Sequence, residues 1–380
     1  MTAPEDDEPE YERTIFISRK PRTEAIPVSD TLGHYLVVLE GSVPGRRLEI
    51  GSDLLTIGRG VKQTLVVDDP DVSRLHLRVS LVAGDVVAED MDSTNGTFVD
   101  GKPIKGAVTL KDGSVLRMGG QVLKFERRSR QDVKRTEELN RDIQKATDYV
   151  WSLLPAPIGN GQVLAEWRFV PSTQLGGDAF GYYWLDASTF VFYLVDVSGH
   201  GVGAAMHSVT VLNVLRQRAL PQVDFKNPAE VLSSLNDRFP MDSHNGLYFT
   251  MWYGVYNAST RTLAYGSAGH HPAFLVPIER HEAQPLGMPA LMIGILPDQA
   301  YEVQETAVPP GSRLFLFSDG AYEIVTKDQQ RWGLSEFLPL LLEPVVSGQP
   351  ETERVYRRVR AAAASGPLED DFSLIAVTFP

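Results

Sequence analysis

The sequence predicts a multidomain protein: an all-β sandwich, a helical linker and a C-terminal α+β domain. Three observations carry this reading. The length of 380 residues is too great for one ordinary core. Near residue 128 the hydrophobic pattern changes from period two to a helical period. Beyond residue 157 longer apolar strands alternate with helical segments.

Residues 1–32 open with "MTAPEDDEPEYER", acidic and proline-bearing, without the apolar stretch of a secretory signal, and are expected to form a disordered tail. Over 33–127 short alternating runs, such as Leu77, Val79 and Leu81 against Arg78 and Ser80, are broken by Gly, Asp and Asn turns, the pattern of a sandwich. The linker, 128–156, carries Leu139, Ile143, Ala146, Val150 and Leu153 at spacings of 4, 3, 4 and 3, and Pro155 stops it. That stripe suits a helix laid on the next domain or one that forms a homodimer. In 157–380, "TFVFYLVDVS", "YFTMWYGVYN", "RLFLFSDG" and "FSLIAVTF" read as strands. "NPAEVLSSLNDRF" reads as a helix capped by Asn227 with Pro228 in its first turn.

Composition excludes several classes. A chain 43% hydrophobic and 22% charged, without an apolar run of roughly 18 residues, is expected to be cytoplasmic and without a membrane span. The absence of cysteine rules out disulfides, thiolate metal sites and cysteine nucleophiles. A net charge of −13 argues against nucleic acid, which demands clustered Lys and Arg. Any phosphate ligand must therefore find positive charge locally.

Two sets of loops look built for phosphate. In the β domain Gly58-Arg59, Ser73-Arg74-Leu75-His76 and Ser93-Thr94-Asn95-Gly96 fall between strands, and a sandwich gathers alternate loops at one end. A guanidinium, two hydroxyls and an amide offer a dianion a charged fork and neutral donors. The motifs "IGRG", "SRLH" and "DSTNGTFVDG" resemble those of the forkhead-associated (FHA) family. The resemblance implies a phosphothreonine reader in which Arg59, Ser73, Arg74, Thr94 and Asn95 bind the phosphopeptide while Gly58 and His76 are structural. Thr14, in "YERTIFISRK", has Ile17 three residues on and is the candidate phosphosite. Once phosphorylated by an upstream Ser/Thr kinase, it is expected to dock into this FHA domain or a neighbour's.

In the C-terminal domain the informative residues are aspartates at strand ends: Asp178, Asp196, Asp319 and the pair Asp370-Asp371. Clustered carboxylates repel one another unless cations neutralise them. A hard oxygen set points to Mg²⁺ or Mn²⁺. The run "LLP", "GGD", "DVSGHGVGAAM", "GSAGHHPAFLV", "LFLFSDGAYE" and "DDFSLIAV" resembles the SpoIIE-type branch of the metal-dependent (PPM) serine/threonine phosphatases. That resemblance implies two central antiparallel sheets flanked by helices. It also implies two divalent cations, Mn²⁺ or Mg²⁺, held by Asp178, Asp196, the Val197 carbonyl, Asp319 and Asp370, with Asp371 beside them. A glycine, Gly181, stands where the family often has another acid. Cations that acidify water remove the need for a protein nucleophile, and His200 and His270 are the candidate proton donors.

The expected function is a protein phosphatase regulated or targeted by its FHA domain. A phosphorylated anti-sigma-factor antagonist or similar bacterial signalling protein is the implied substrate. The alternatives are a catalytically inactive FHA scaffold and a phosphatase of small phosphate esters.

Overall fold

The computed structural model describes residues 32–364 and 366–380. The acidic tail up to residue 31, with Thr14, lies outside the described residues. The chain divides between Leu139 and Asn140 into two compact units.

The first unit holds β1 (Leu32–Glu40), β2 (Arg47–Glu49), β3 (Leu55–Gly58), β4 (Leu65–Val66), β5 (Leu77–Val82) and β6 (Asp85–Asp90). It continues with β7 (Phe98–Val99), β8 (Lys102–Pro103), β9 (Ala107–Thr109), β10 (Val115–Met118) and β11 (Gln121–Ser129). One sheet runs β2-β1-β11-β10-β7-β8 and the other β4-β3-β5-β6-β9. Their inner faces meet through Leu36, Val38, Leu123 and Phe125 on one side and Ile57, Leu77, Val79 and Ala88 on the other. The alternation read from sequence is this inward and outward pleat. Leu32 pairs with Ser129, so the sandwich extends one residue before position 33 and two beyond 127.

Helix α1 (Arg130–Leu153) follows without a break, and the boundary between units falls inside it. In the second unit come β12 (Leu164–Val170), β13 (Asp178–Trp184), β14 (Thr189–Val197), α2 (Val202–Arg216) and α3 (Pro228–Arg238). Next are β15 (Phe249–Asn257), β16 (Thr262–Ala268), β17 (Ala273–Val276), β18 (Gln284–Leu286) and β19 (Gln304–Ala307). The unit closes with β20 (Ser312–Phe317), α4 (Leu334–Leu342), α5 (Glu351–Ala362) and β21 (Phe372–Phe379). Two antiparallel sheets result, β13-β14-β15-β16-β19 and β12-β21-β20-β17-β18.

These sheets are the middle of four layers. From β14, Phe190, Phe192 and Leu194 point into the inter-sheet core with Leu314, Leu316, Ile375 and Val377. The alternate residues Val191, Tyr193 and Val195 meet Val211, Leu212 and Leu215 of α2 and Leu232 and Leu235 of α3. The outer face of the second sheet is covered by Phe337 and Leu341 of α4 and Val355 and Val359 of α5. A strand covered on both faces has no solvent side, which is why "TFVFYLV" is apolar throughout. Asn227 caps α3 by accepting from the Ala229 N–H at 3.1 Å.

The stripe on α1 divides in two. Val150 is buried with Leu175, Ala205 and Val209, and Ile143, Ala146 and Leu153 pack around them. Thr147 Oγ1 donates to the Gln174 carbonyl at 3.0 Å. Leu139, the first member of the stripe, is 59% exposed. Among the described residues no helix is long and apolar enough to cross a membrane.

Candidate functional site

In the sandwich, β3 and β6 end, and β5 begins, at the same end of one sheet, because β3 and β6 both pair antiparallel with β5. The loops carrying Arg59, Ser73-Arg74 and Thr94-Asn95 therefore share that end. The Arg59 N–H donates to the Ser73 carbonyl at 3.0 Å and the Gly60 N–H to that of Arg74 at 3.0 Å. This approach is so close that a Cβ on Gly58 would stand 2.5 Å from the Arg74 carbonyl oxygen, so glycine is required there. His76, fully buried, accepts the Ser73 N–H on Nδ1 at 3.0 Å and sets Nε2 3.2 Å from the Gly96 carbonyl. One imidazole thus ties two of the loops together.

Ser73 Oγ accepts the Thr94 N–H at 3.0 Å and lies 3.4 Å from Thr94 Oγ1. The Asn95 amide donates to the Asp71 carbonyl at 2.9 Å. Arg59 and Arg74 line a cleft of about 520 Å³. Both guanidiniums are exposed, and among the described residues neither has an ion-pair partner. Charge and oriented donors are in place before any ligand arrives.

The second cluster has the opposite sign. Asp178 at the start of β13 is directly across from Asp196 near the end of β14. Asp319 follows β20 and Asp370 precedes β21, at adjoining ends of an antiparallel pair. Asp178 is 4% exposed, and one of its carboxylate oxygens has no hydrogen-bond partner. Burial first, then the charges of Asp196 and Asp371, hold the Asp178 carboxyl well above the usual range. Asp196 is pushed up well above it by burial and by Asp319, Asp370, Asp371 and Glu323. Burial, Asp370 and Glu323 lift Asp319 to about 6, and partial desolvation of its carboxyl raises Asp370 although the residue as a whole is exposed.

Asp178 thus feels Asp196 and Asp371, while Asp196 feels Asp319, Asp370, Asp371 and Glu323. Among the described residues no three carboxylate or histidine side chains close into a ready-made cage around one point. The donor set nonetheless fits hard divalent cations: all oxygen, partly desolvated, with an orphaned carboxylate oxygen and excess negative charge. Gly199 and Gly201, at φ of 83° and 84°, bend the backbone after Val197 as L side chains rarely permit.

Asp370 and Asp371 have different tasks. Asp371 is 3% exposed and accepts the Ser172 N–H at 2.7 Å, the Ser172 hydroxyl at 3.0 Å and the Gly177 N–H at 2.6 Å. It rivets the loop that presents Asp178. Asp370 is exposed and accepts only the neighbouring Asp371 N–H at 2.7 Å among the described hydrogen bonds. Sequence reading missed Glu323, whose charge reaches Asp196 and Asp319. The signal was its position four residues after Asp319, on the turn where its own N–H bonds the Asp319 carbonyl at 2.8 Å.

His200 is exposed beside Asp370, and its charge opposes the rise of that carboxyl. His270 is buried, with Nδ1 donating to the His271 carbonyl at 2.8 Å. Burial, and secondarily His271, press it well below the usual histidine range.

Comparison with known proteins agrees with this architecture. Residues 186–380 match the family Stage II sporulation protein E (SpoIIE), and residues 55–119 match the FHA domain. The chain belongs to the SpoIIE family. Its C-terminal unit is a protein serine/threonine phosphatase domain of the metal-dependent PPM type, and an FHA domain precedes it. The phosphoserine phosphatase RsbU of Bacillus subtilis is 26% identical over 244 residues, 63% of this chain and 71% of the relative. FhaB of Mycobacterium tuberculosis, an FHA domain-containing protein, is 38% identical over 85 residues, 22% of this chain and 55% of that one. In fold, the SiaA-PP2C domain of Pseudomonas aeruginosa covers 64% of this chain and 98% of its own, at TM-score 0.56 and 20% identity.

Proposed function

We propose that this protein removes phosphate from phosphoserine or phosphothreonine in a bacterial signalling protein, and that its FHA domain targets or regulates that activity by binding a phosphothreonine partner. The observation that carries the reading is the register placing Asp178 opposite Asp196, with Asp319 and Asp370 at adjoining strand ends. Two divalent cations, Mn²⁺ or Mg²⁺, would be held by Asp178, Asp196, Asp319, Asp370 and the Val197 carbonyl. When bound, such ions neutralise phosphoryl oxygens and lower the pKa of water.

The chain's own residues prepare the site. Asp371 fixes the Ser172–Gly177 loop and with it the start of β13. Ser318 Oγ donates to the Asp371 carbonyl at 2.9 Å and accepts the Ser373 N–H at 3.0 Å, joining the ends of β20 and β21. Helix α1 rests on Leu175, just before Gly176-Gly177-Asp178, and on Ala205 and Val209 of α2, which follows the Asp196 loop. A shift of α1 is thereby felt by both loops, the physical route by which FHA occupancy would reach the carboxylates.

The substrate class follows from the relatives. RsbU carries the name phosphoserine phosphatase, which supports a phosphoserine substrate; a phosphorylated anti-sigma-factor antagonist is the candidate that the SpoIIE-type resemblance implies. The test is Mn²⁺-dependent hydrolysis of p-nitrophenyl phosphate by the full chain, then of phosphorylated antagonist proteins. Activity that survives Asp196→Ala unchanged would overturn the enzymatic assignment. Efficient turnover of small esters with none of phosphoproteins would overturn the substrate class.

A further inference from the structure

A further cavity lies apart from both sites. It has a volume of about 280 Å³ and is walled by Leu153, Gly181, Tyr183, Tyr193, Arg216 and Arg218, near the lower end of small-molecule pockets. Two guanidiniums face it, and none of its lining residues is acidic. Arg216 and Arg218 have no ion-pair partner among the described residues. The Arg218 guanidinium lies over the Tyr183 ring, 5.2 Å from its centroid.

Tyr193 supplies the deciding feature. It is fully buried, and its hydroxyl has no hydrogen-bond partner. A buried phenol is destabilising in that position unless something accepts its proton. Burial raises its pKa, so the hydroxyl stays protonated as a donor. Gly181 makes the space: a Cβ there would collide with the Tyr193 hydroxyl and ring.

We propose that this cavity binds a compact phosphate monoester, with Arg216 and Arg218 meeting the phosphoryl oxygens and the Tyr193 hydroxyl donating to one of them. Two charged forks and a neutral donor match a phosphate dianion better than a planar carboxylate. The aromatic wall and Leu153 suit a small organic body.

The place in the fold gives the site a consequence. Arg216 Nη1 donates to the Leu153 carbonyl at 3.0 Å, tying the last turn of α2 to the last turn of α1. Gly181 and Tyr193 are paired across β13 and β14, as are Asp178 and Asp196 three residues along the same strands, about 10 Å away. Tyr193 faces the helices while Asp196 takes the alternate face, so the two sites lie on opposite sides of one sheet. A bound anion would brace the α1–α2 junction without touching the carboxylates.

The test uses the full chain carrying Arg59→Ala, in chelator, so that neither the FHA cleft nor the carboxylate cluster competes for phosphate. Titration calorimetry with glycerol 3-phosphate, inorganic phosphate and succinate is expected to show saturable binding of the first two. Arg216→Gln and Arg218→Gln should each weaken it at least tenfold. Tyr193→Phe should weaken it severalfold yet raise the melting temperature of the unliganded protein, because it deletes an unpaired buried hydroxyl. If Arg216→Gln loosens α1 through its Leu153 contact, Arg218→Gln alone carries the comparison. Absence of saturable binding, indifference to Arg218→Gln, or succinate binding tighter than glycerol 3-phosphate would each overturn the proposal.

Discussion

The FHA cleft and the carboxylate cluster are both loop assemblies at the end of a two-sheet sandwich, yet they are wired in opposite ways. Beside the cleft, side chains are already bonded into position: Ser73 accepts from Thr94, His76 accepts from Ser73 and reaches the Gly96 carbonyl, and Asn95 donates to the Asp71 carbonyl. Its two guanidiniums can meet a phosphate directly. In the cluster, burial and neighbouring carboxylates raise the pKa of Asp178, Asp196, Asp319 and Asp370, and an oxygen of Asp178 stands unpartnered in the interior. A site of the first kind holds a phosphate. One of the second kind must first recruit cations, and with them it acquires the means to hydrolyse the ester.

The largest effect expected from breaking this contrast is on catalysis. Asp196→Asn should lower Mn²⁺-dependent hydrolysis of p-nitrophenyl phosphate by about 10³-fold or more, since several kcal/mol of charge stabilisation are lost. The same substitution should raise the melting temperature in chelator, because it relieves repulsion from Asp319, Asp370, Asp371 and Glu323. A substitution that ruins activity while stabilising the apo protein is the signature of a ligand carboxylate.

Next comes the difference between two adjacent acids. Asp371→Asn should destabilise the folded protein by about 2–4 kcal/mol in urea melts, because three donors converge on its buried carboxylate. Asp370→Asn, exposed, should change stability by less than about 0.5 kcal/mol while cutting Mn²⁺-dependent turnover.

In the FHA cleft, Arg59→Ala should weaken binding of a phosphothreonine peptide by roughly 10- to 100-fold in fluorescence anisotropy, the worth of a charge-assisted contact. Hydrolysis of p-nitrophenyl phosphate, a substrate too small to need the cleft, should be unchanged. The smallest effect separates the two halves of the α1 stripe. Leu139→Asp should change stability by less than about 0.5 kcal/mol, whereas Ile143→Asp, half-buried against the Val150 cluster, should cost more than about 1 kcal/mol in the same melts.

Much of this was legible because the chemistry is carried by short contiguous motifs. "SRLH" holds both Ser73, a proposed phosphate contact, and the His76 that braces it, and "DVSGHG" holds Asp196 and the glycines that turn the chain. The apolar runs of β14, β15 and β21 declared themselves because both faces are covered. What stayed hidden depended on side-chain direction. Asp370 and Asp371 are equivalent as letters, and only the start of β21 sends one into the loop core and the other outward. Leu139 belongs to the same heptad stripe as Val150, but the surface that covers the stripe begins at Ile143. Glu323 was passed over because its reach to Asp196 exists only once β14 and β20 lie in facing sheets. The unpartnered Tyr193 hydroxyl depends on its surroundings across β13 and α2, which the letters "TFVFYLV" do not carry.

The most direct test of the central claim is calorimetric titration of Mn²⁺ into chelator-stripped full-length protein, alongside Asp178→Asn and Asp196→Asn. The carboxylate arrangement predicts saturable uptake by the wild-type chain, sharply reduced in either variant. No uptake by the wild type, or uptake identical in all three proteins, would contradict it.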